Sequence, residues 1–138
     1  ISLSELKKYT HENDKIKFMG KTDNILTVLS KVDVMVLPSY REGLSKALLE
    51  AASMQLPIIT TNVPGCKDVV EDNVNGLLCE PKSIESLKNS MIKMINFSES
   101  ERIEMGQAGR KIIAKKFSSK IINNIYTTKI YNICGLHK

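Results

Sequence analysis

Two carboxylates, Glu42 and Glu50, stand with seven residues between them in the run Glu-Gly-Leu-Ser-Lys-Ala-Leu-Leu-Glu. Paired carboxylates suggest acid/base work on a glycosidic bond, where the two groups sit roughly 5 to 9.5 Å apart. The residues between them read as helix, and eight helical steps rise about 12 Å at about 1.5 Å each. That span is too long for one bond, so the pair would grip opposite ends of an extended ligand. Glu42 lies by the helix entrance, where the free N–H groups of Gly43, Leu44 and Ser45 favour an anion such as a phosphate. Beside a phosphate a carboxylate serves as a hydroxyl acceptor, so a sugar at one end and a ribose at the other would satisfy both. The alternative is that Glu42 only complements the helix dipole and Glu50 sits on a helix surface; spacing alone leaves both open.

The elements that must position this pair follow from the flanking pattern. Val32 to Leu37 is a short apolar run rich in β-branched residues and closed by Pro38-Ser39, which predicts a buried strand. Ser45 to Ser53 sets Ala47, Leu48, Ala51 and Ala52 at helical spacing without an internal Gly or Pro. Pro57 to Thr61 predicts a second buried strand, and Asn62 to Gly65 carries turn residues. Strand, short helix and strand make a right-handed βαβ crossover with parallel strands. Ligands of such units bind at the carboxyl ends of the strands, here Pro38 to Ser45 and Asn62 to Gly65.

Upstream, Leu3 to Tyr9 reads as the tail of a helix and His11 to Asp14 as a polar turn. Lys15 to Met19 alternates polar and apolar and stops at Gly20, which predicts a strand. Asp23 or Asn24 is placed to cap a helix through Leu29. Downstream, Lys67 to Glu71 predicts a helical turn, Asn73 to Gly76 a loop, and Leu77 to Cys79 a strand closed by Pro81. Ser83 caps a helix with Leu87, Met91, Met94 and Ile95 on its apolar face. Ser98 to Phe117 forms another, opened by the capping box Ser98–Glu101 and carrying a looser stripe of Ile103, Ala108, Ile112 and Ile113. Ile121 to Ile133 forms a third, with Ile122, Ile125, Tyr126, Ile130 and Ile133 at helical spacing. The expected fold is α/β: a Rossmann-like open parallel sheet with helices on both faces and a helical C-terminal tail.

Composition narrows the class. A chain of 138 residues with 42% hydrophobic content suits one domain with a real core. No apolar run approaches the roughly 20 residues that span a bilayer, and no signal-peptide pattern is present. The chain begins at Ile1, as a piece of something longer would. Cys66, Cys79 and Cys134 form no CxxC pair or zinc pattern, and three free thiols suit a reducing cytosol. The net charge is +5, with Lys111, Lys115, Lys116 and Lys120 clustered late on helices. That cluster reads as a solvated face or as attraction to an anionic membrane surface or anionic substrate. Nucleic acid is not expected, because no aromatic residue is interleaved with the basic ones.

The stretch from Pro38 to Pro81, PSYREGLSKALLEAASMQLPIITTNVPGCKDVVEDNVNGLLCEP, closely resembles the donor-binding half of family 4 glycosyltransferases of the GT-B fold. The mark is Glu, seven residues, Glu, here Glu42 and Glu50. Around it stand an Asp before the strand, Pro-Ser after it, a Gly-containing turn before a short helix, and Asn-Gly before the next strand. The match runs in register from about Ile16 to Pro81, and its nearest flavour is that of bacterial capsular and lipopolysaccharide enzymes. The helices after Ser83 fit in kind only. By this resemblance Glu42 contacts the donor hexose in a catalytic role, and the amides of Gly43, Leu44 and Ser45 lie near the sugar and diphosphate. Glu50 would take the ribose hydroxyls, and the turn at Gly20 and Lys21 would approach the nucleobase. The family retains anomeric configuration and needs no metal; the donor, a UDP-sugar or GDP-sugar, is a substrate and no cofactor is implied.

Departures from the pattern shape the expectation. Relatives open this domain with two further strands and a Gly-Arg…Lys-Gly stretch that clasps the diphosphate, and nothing before Leu3 supplies it. The acceptor-binding N-terminal domain is also missing, unless a separate chain provides it. The expected organisation is one N-terminally truncated donor-binding domain: a βα core over residues 1–81 and a helical tail over 83–138. The expected activity is transfer of a hexose-type sugar to a polysaccharide or lipid-linked acceptor, with little transfer by this chain alone. The alternative is a non-catalytic split or degenerate fragment that binds a partner through exposed helices. The expected location is cytoplasmic, with peripheral contact at the inner membrane face left open. Other signatures are absent: there is no GxGxxG after a strand and no GxxxxGK[ST]. Asp33 begins its strand, whereas a phosphoacceptor would end one. Cys66 reads as a plain thiol, since no pattern surrounds His11 or His137. Asn96-Phe97-Ser98 matches a glycosylation acceptor that a cytosolic chain would not use.

Overall fold

Three β-strands of consecutive order build the centre, because their apolar residues have two faces to bury. The computed structural model describes residues 2–135. Strands β1 (Met35–Leu37), β2 (Ile58–Thr61) and β3 (Gly76–Cys79) lie side by side in that order, all parallel. The register sets Met35 beside Ile58 and Ile58 beside Gly76. Among the described residues six helices accompany them: α1 (Leu3–Glu12), α2 (Ile25–Leu29), α3 (Lys46–Ser53), α4 (Ile84–Asn96), α5 (Glu99–Phe117) and α6 (Ser119–Cys134).

Side chains of the strands alternate between two cores, as the two-residue period requires. Ile58 packs with Leu48, Ala51 and Ala52 of α3, Leu29 of α2 and Ile113 of α5. Ile59 and Leu77 face the other way, against Met94 and Leu87 of α4 and Met105 of α5. Helices therefore cover both faces of the parallel sheet, as the alternation of βα units implies. The small residues Ala51 and Ala52 are fully buried and let α3 sit close to the sheet.

Helix α5 packs on the turn that follows α3 through a glycine whose role the sequence did not suggest. A Cβ at Gly106 would lie 1.8 Å from the Gln55 carbonyl oxygen, so only hydrogen fits there. Gly109, one turn on, has looser surroundings, with Asn75 Nδ2 at 3.4 Å from the same hypothetical atom. The basic stretch holding both glycines is thus a helix-packing surface on its buried side.

Several boundaries differ from expectation. Lys15 to Met19 forms no strand: the segment is exposed throughout and pairs with nothing among the described residues. Alternation gives a segment the pattern of a strand, but a strand exists only through a partner's ladder of hydrogen bonds. Ile16, Phe18 and Met19 consequently remain exposed. His11 and Glu12 extend α1, which starts with a capping box between Ser2 and Glu5. The last helix starts at Ser119, with Ser118 serving both as end of α5 and start of α6.

The capping box at α5 forms as its pattern predicts: the Ser98 hydroxyl accepts from the Glu101 N–H, and Glu101 accepts from the Ser98 N–H at 2.7 Å. Hydrogen bonds from the Ser98 side chain and then its backbone hold the Glu101 carboxyl below its ordinary value of 4.5. A carboxyl lowered by folding contributes stability that is complete above its unfolded pKa and lost as pH falls through the folded one. Urea midpoints should therefore fall on acidification below pH 4.5, and Glu101→Gln should flatten part of that fall. Gly106→Ala should cost about 1–3 kcal/mol by overpacking, while Gly109→Ala should be near neutral or gain from helix propensity. Thermal unfolding of the two variants checks the contrast.

Candidate functional site

The carboxyl ends of β1 and β2 are tied together by side-chain hydroxyls. Thr60 Oγ1 donates to the Leu37 carbonyl at 2.8 Å, and Thr61 Oγ1 donates to the Ser39 carbonyl. Ser39 Oγ in turn donates to Glu42 Oε1 at 3.1 Å. A chain of hydrogen bonds thus runs from β2 through the loop after β1 to the half-buried Glu42 carboxylate. Hydrogen bonds to a charged acceptor are the stronger kind, so Ser39 also sets the orientation of that carboxylate.

The turn after β2 presses on the same loop from a second side. Gly65 has φ of +83°, and a Cβ there would lie 1.6 Å from the Gly43 carbonyl oxygen and 2.7 Å from that of Glu42. Its N–H donates to Asp68 Oδ2 at 3.0 Å, which holds the turn in this left-handed conformation. Both the backbone angle and the close approach demand glycine. Pro64 and Lys67 flank it as exposed turn residues, and the buried Val63 and Cys66 anchor the turn below.

Helix α3 begins one residue later than its pattern suggests. Ser45 is the N-cap, with extended angles of φ −72° and ψ 109°, and its side chain makes no cap hydrogen bond. The first helical bond runs from Leu49 N to the Ser45 carbonyl at 3.1 Å. The N–H groups of Lys46, Ala47 and Leu48 therefore have no acceptor among the described residues. These orphan donors, at the positive end of the helix dipole, are the groups that suit an anion. Gly43 and Leu44 belong to the exposed approach to the helix, and Ser45 is buried at its mouth.

This placement corrects the expected spacing of the carboxylates. Glu42 is in the loop and Glu50 in α3, so no continuous helix joins them and the eight-step helical rise does not apply. The extended backbone at Ser45 is the reason, since it delays the first helical turn. Glu50 keeps a side-chain exposure of 27% and meets Lys46 Nζ at 3.5 Å, four residues earlier on the same face. Lys46 is itself 88% exposed, so the pair is a weak, solvent-screened one. Glu50 is therefore accessible to a ligand at modest cost.

Gly20 and Lys21 fall in exposed, irregular chain between α1 and α2. Neither shares a hydrogen bond or ion pair with the Glu42–Glu50 stretch among the described residues. From the sequence, Ser39 and Gly65 fall within the ligand-binding strand ends, Pro38 to Ser45 and Asn62 to Gly65, without a role of their own, and Thr61 has a place in a strand only. Cys66 is buried, with Thr61 Oγ1 as its neighbour at 4.0 Å. His11 lies in α1, and His137 lies outside the described residues. Burial pushes the Cys79 thiol above its ordinary range, which keeps it protonated and inert. Among the described residues no three His, Cys, Asp or Glu side chains gather as a metal site would, and no helix is long and apolar enough to cross a membrane.

A parallel sheet of consecutive strands covered by helices on both faces defines an open α/β domain. Its architecture is that of the GT-B enzymes. The structure of Anabaena Alr3699/HepE in complex with UDP superposes with a TM-score of 0.85 over 94% of this chain and 36% of that one, at 20% identity. The family described as "Glycosyl transferases group 1" matches residues 2–112, and the chain belongs to it. N-acetyl-alpha-D-glucosaminyl L-malate synthase of Bacillus anthracis is 31% identical over 132 residues, 96% of this chain and 34% of that protein. The capsular polysaccharide biosynthesis glycosyltransferase CapM of Staphylococcus aureus is 32% identical over 111 residues, 80% of this chain and 29% of its own length. The chain thus spans about a third of the length of the curated relatives it matches.

The Gly65 contact yields a direct test. Gly65→Ala should destabilise the chain by about 1–3 kcal/mol through strain and overlap. Amide NMR shifts of that variant should move at Ser39 to Lys46 on the other side of the contact; shifts confined to Asn62–Asp68 would contradict it.

Proposed function

We propose that this chain is the nucleotide-sugar-binding part of a retaining glycosyltransferase that moves a hexose-type sugar to a polysaccharide or lipid-linked acceptor. The observation that carries this reading is the uncapped start of α3 between two accessible carboxylates, Glu42 and Glu50. The diphosphate would sit at the free amides of Lys46, Ala47 and Leu48, with Gly43, Leu44 and Ser45 lining the approach. Glu42, oriented by Ser39, would take hydroxyls of the donor sugar, and Glu50 the ribose hydroxyls after exchanging its contact with Lys46. Gly20 and Lys21 remain the proposed approach to the base. The donor would be a uridine or guanosine diphosphate sugar, and UDP in the Anabaena structure supports the first of these.

In the reaction, the bond between the anomeric carbon and the diphosphate oxygen breaks while the acceptor hydroxyl oxygen bonds to that carbon. The hydroxyl proton leaves with the departing nucleoside diphosphate, and the new glycoside keeps the donor's configuration. The helix dipole and orphan amides of α3 stabilise charge growing on the leaving diphosphate, as preorganised donors do. The main acceptor-binding surface would come from an N-terminal acceptor domain or a separate chain, and the 138-residue chain alone would transfer little. The βα core over residues 1–81 would carry the donor site and the 83–138 tail would support it. The work would take place in the cytoplasm, and the exposed Lys111, Lys115 and Lys120 suit peripheral contact with an anionic inner-membrane surface.

A second reading, a non-catalytic fragment that docks a partner, draws on the exposed Ile125, Tyr126, Ile130 and Ile133 of α6. Calorimetric titration separates the two. UDP or GDP should bind saturably, and Glu50→Ala should weaken the nucleotide by about 10-fold or more, as loss of a charged hydrogen bond does. Glu42→Ala should spare the free nucleotide and weaken only the nucleotide-sugar. Wild-type affinity in both variants would remove the donor reading.

A further inference from the structure

A cavity of about 220 Å³ opens beside the Glu42 loop, at the carboxyl ends of the strands but on the α4 side of the sheet. Tyr40, Glu80 and Lys82 line it together with Thr61, Ile84 and Leu87. We propose that it is a subsite for one neutral sugar ring of the acceptor, recognised by Tyr40, Glu80 and Lys82. The inference rests on Glu42 marking the transfer site.

Position is the first argument. Tyr40 belongs to the same loop as Glu42, and Thr61, on the cavity wall, holds the Ser39 carbonyl whose own side chain contacts Glu42. Cavity and carboxylate are therefore joined through one loop and one chain of hydrogen bonds. Glu50 rides on α3, which packs with the Ile58 core, whereas Leu87 of α4 packs with the Ile59 core on the opposite face. A ring in the cavity would thus lie beside the loop that carries Glu42, on the face of the sheet away from the helix that carries Glu50.

Chemistry is the second. Tyr40 is 66% exposed and Ile84 is 86% exposed, so apolar surface stands open where a ligand would cover it. An aromatic face takes the C–H face of a pyranose, and a few polar groups around it fix orientation. Lys82 Nζ lies 5.9 Å from the centre of the Tyr40 ring, which steadies that ring. Glu80 would accept from sugar hydroxyls and Lys82 would donate to them. Because the two charges oppose each other in one cavity, a neutral sugar fits better than a phosphate or an anionic headgroup.

Backbone strain is the third. Lys82 has φ of +60°, in the turn where Ser83 N approaches the Glu80 carbonyl at 3.4 Å. Glycine or asparagine suits that turn position, and a long basic side chain held there is a costly choice. The volume sits below the roughly 300–1,000 Å³ of sites for drug-sized ligands, so a single ring is the fitting occupant.

The test is an amide NMR titration of the chain with methyl α-D-glucopyranoside, methyl α-D-galactopyranoside and methyl N-acetyl-α-D-glucosaminide. At least one should give saturable shifts at Tyr40, Glu80, Lys82 and Ile84, with an affinity in the millimolar range. Those shifts should persist with UDP present and in Glu50→Ala, and affinity should fall at least 10-fold in Tyr40→Ala, Glu80→Gln and Lys82→Gly. All three altered side chains are exposed, and thermal unfolding verifies that each variant is folded. No shift at these amides with any glycoside would overturn the proposal. So would shifts centred on Glu42 to Glu50, or a preference for inorganic phosphate over the glycosides. Failure of UDP to bind would count against the donor site alone, because the glycoside titration is read without it.

Discussion

Everything at the candidate site depends on one close approach, the backbone of Gly65 against the backbone of Glu42 and Gly43. The two segments come from the ends of adjacent strands, and nothing larger than hydrogen fits between them. Thr61, four residues before Gly65, donates to the Ser39 carbonyl and so holds the same loop from its start. With both restraints in place the loop after β1 has little freedom, and Glu42 enters the site already oriented by Ser39. Such preorganisation lowers the reorganisation that a bound ligand or a developing charge would otherwise demand.

The sheet below it supplies the rigidity. β2 is central, its four residues are all buried, and each neighbour is parallel to it. A parallel strand covered on both faces is the least mobile part of such a fold, so the loops at its carboxyl end can be irregular without being loose. Both threonine hydroxyls at this end are engaged: Thr60 bonds the Leu37 carbonyl at the end of β1 and Thr61 the Ser39 carbonyl in the loop after it. At the opposite end of the sheet, just before β3, buried Asn75 donates to the Val69 carbonyl and accepts from the Glu71 N–H.

Much of this was legible before any coordinates, and what was not has physical causes. The runs around β1, β2 and β3, the helix of small residues between them, and both capping serines Ser83 and Ser98 announced themselves by local pattern. Local pattern failed where a partner decides the outcome. Lys15 to Met19 alternates as a strand does, yet it finds no ladder and stays irregular and exposed. The start of α3 slipped by one residue because Ser45 looks alike as a cap or as a first-turn residue. Gly65 and Gly106 read as a turn residue and an ordinary helical glycine. Their weight comes from backbone atoms distant in sequence, the carbonyls of Gly43 and Gln55, which no spacing rule reports. The pairing of Tyr40 with Lys82 is equally non-local.

The order in which the sheet's two faces are covered has a consequence for how the chain is made. All three strands and α3 lie within residues 35–79, so the ladder and most of the first face, short of Ile113 of α5, can form as soon as that stretch has left the ribosome. The opposite face, with Ile59 and Leu77, is closed by Leu87 and Met94 of α4 and Met105 of α5, which are synthesised later. In that interval the nascent chain carries a bare apolar surface on an otherwise assembled sheet. The slowest-arriving helices, rather than the strands, then set how long the growing polypeptide is exposed to capture by chaperones or by its own neighbours on a polysome.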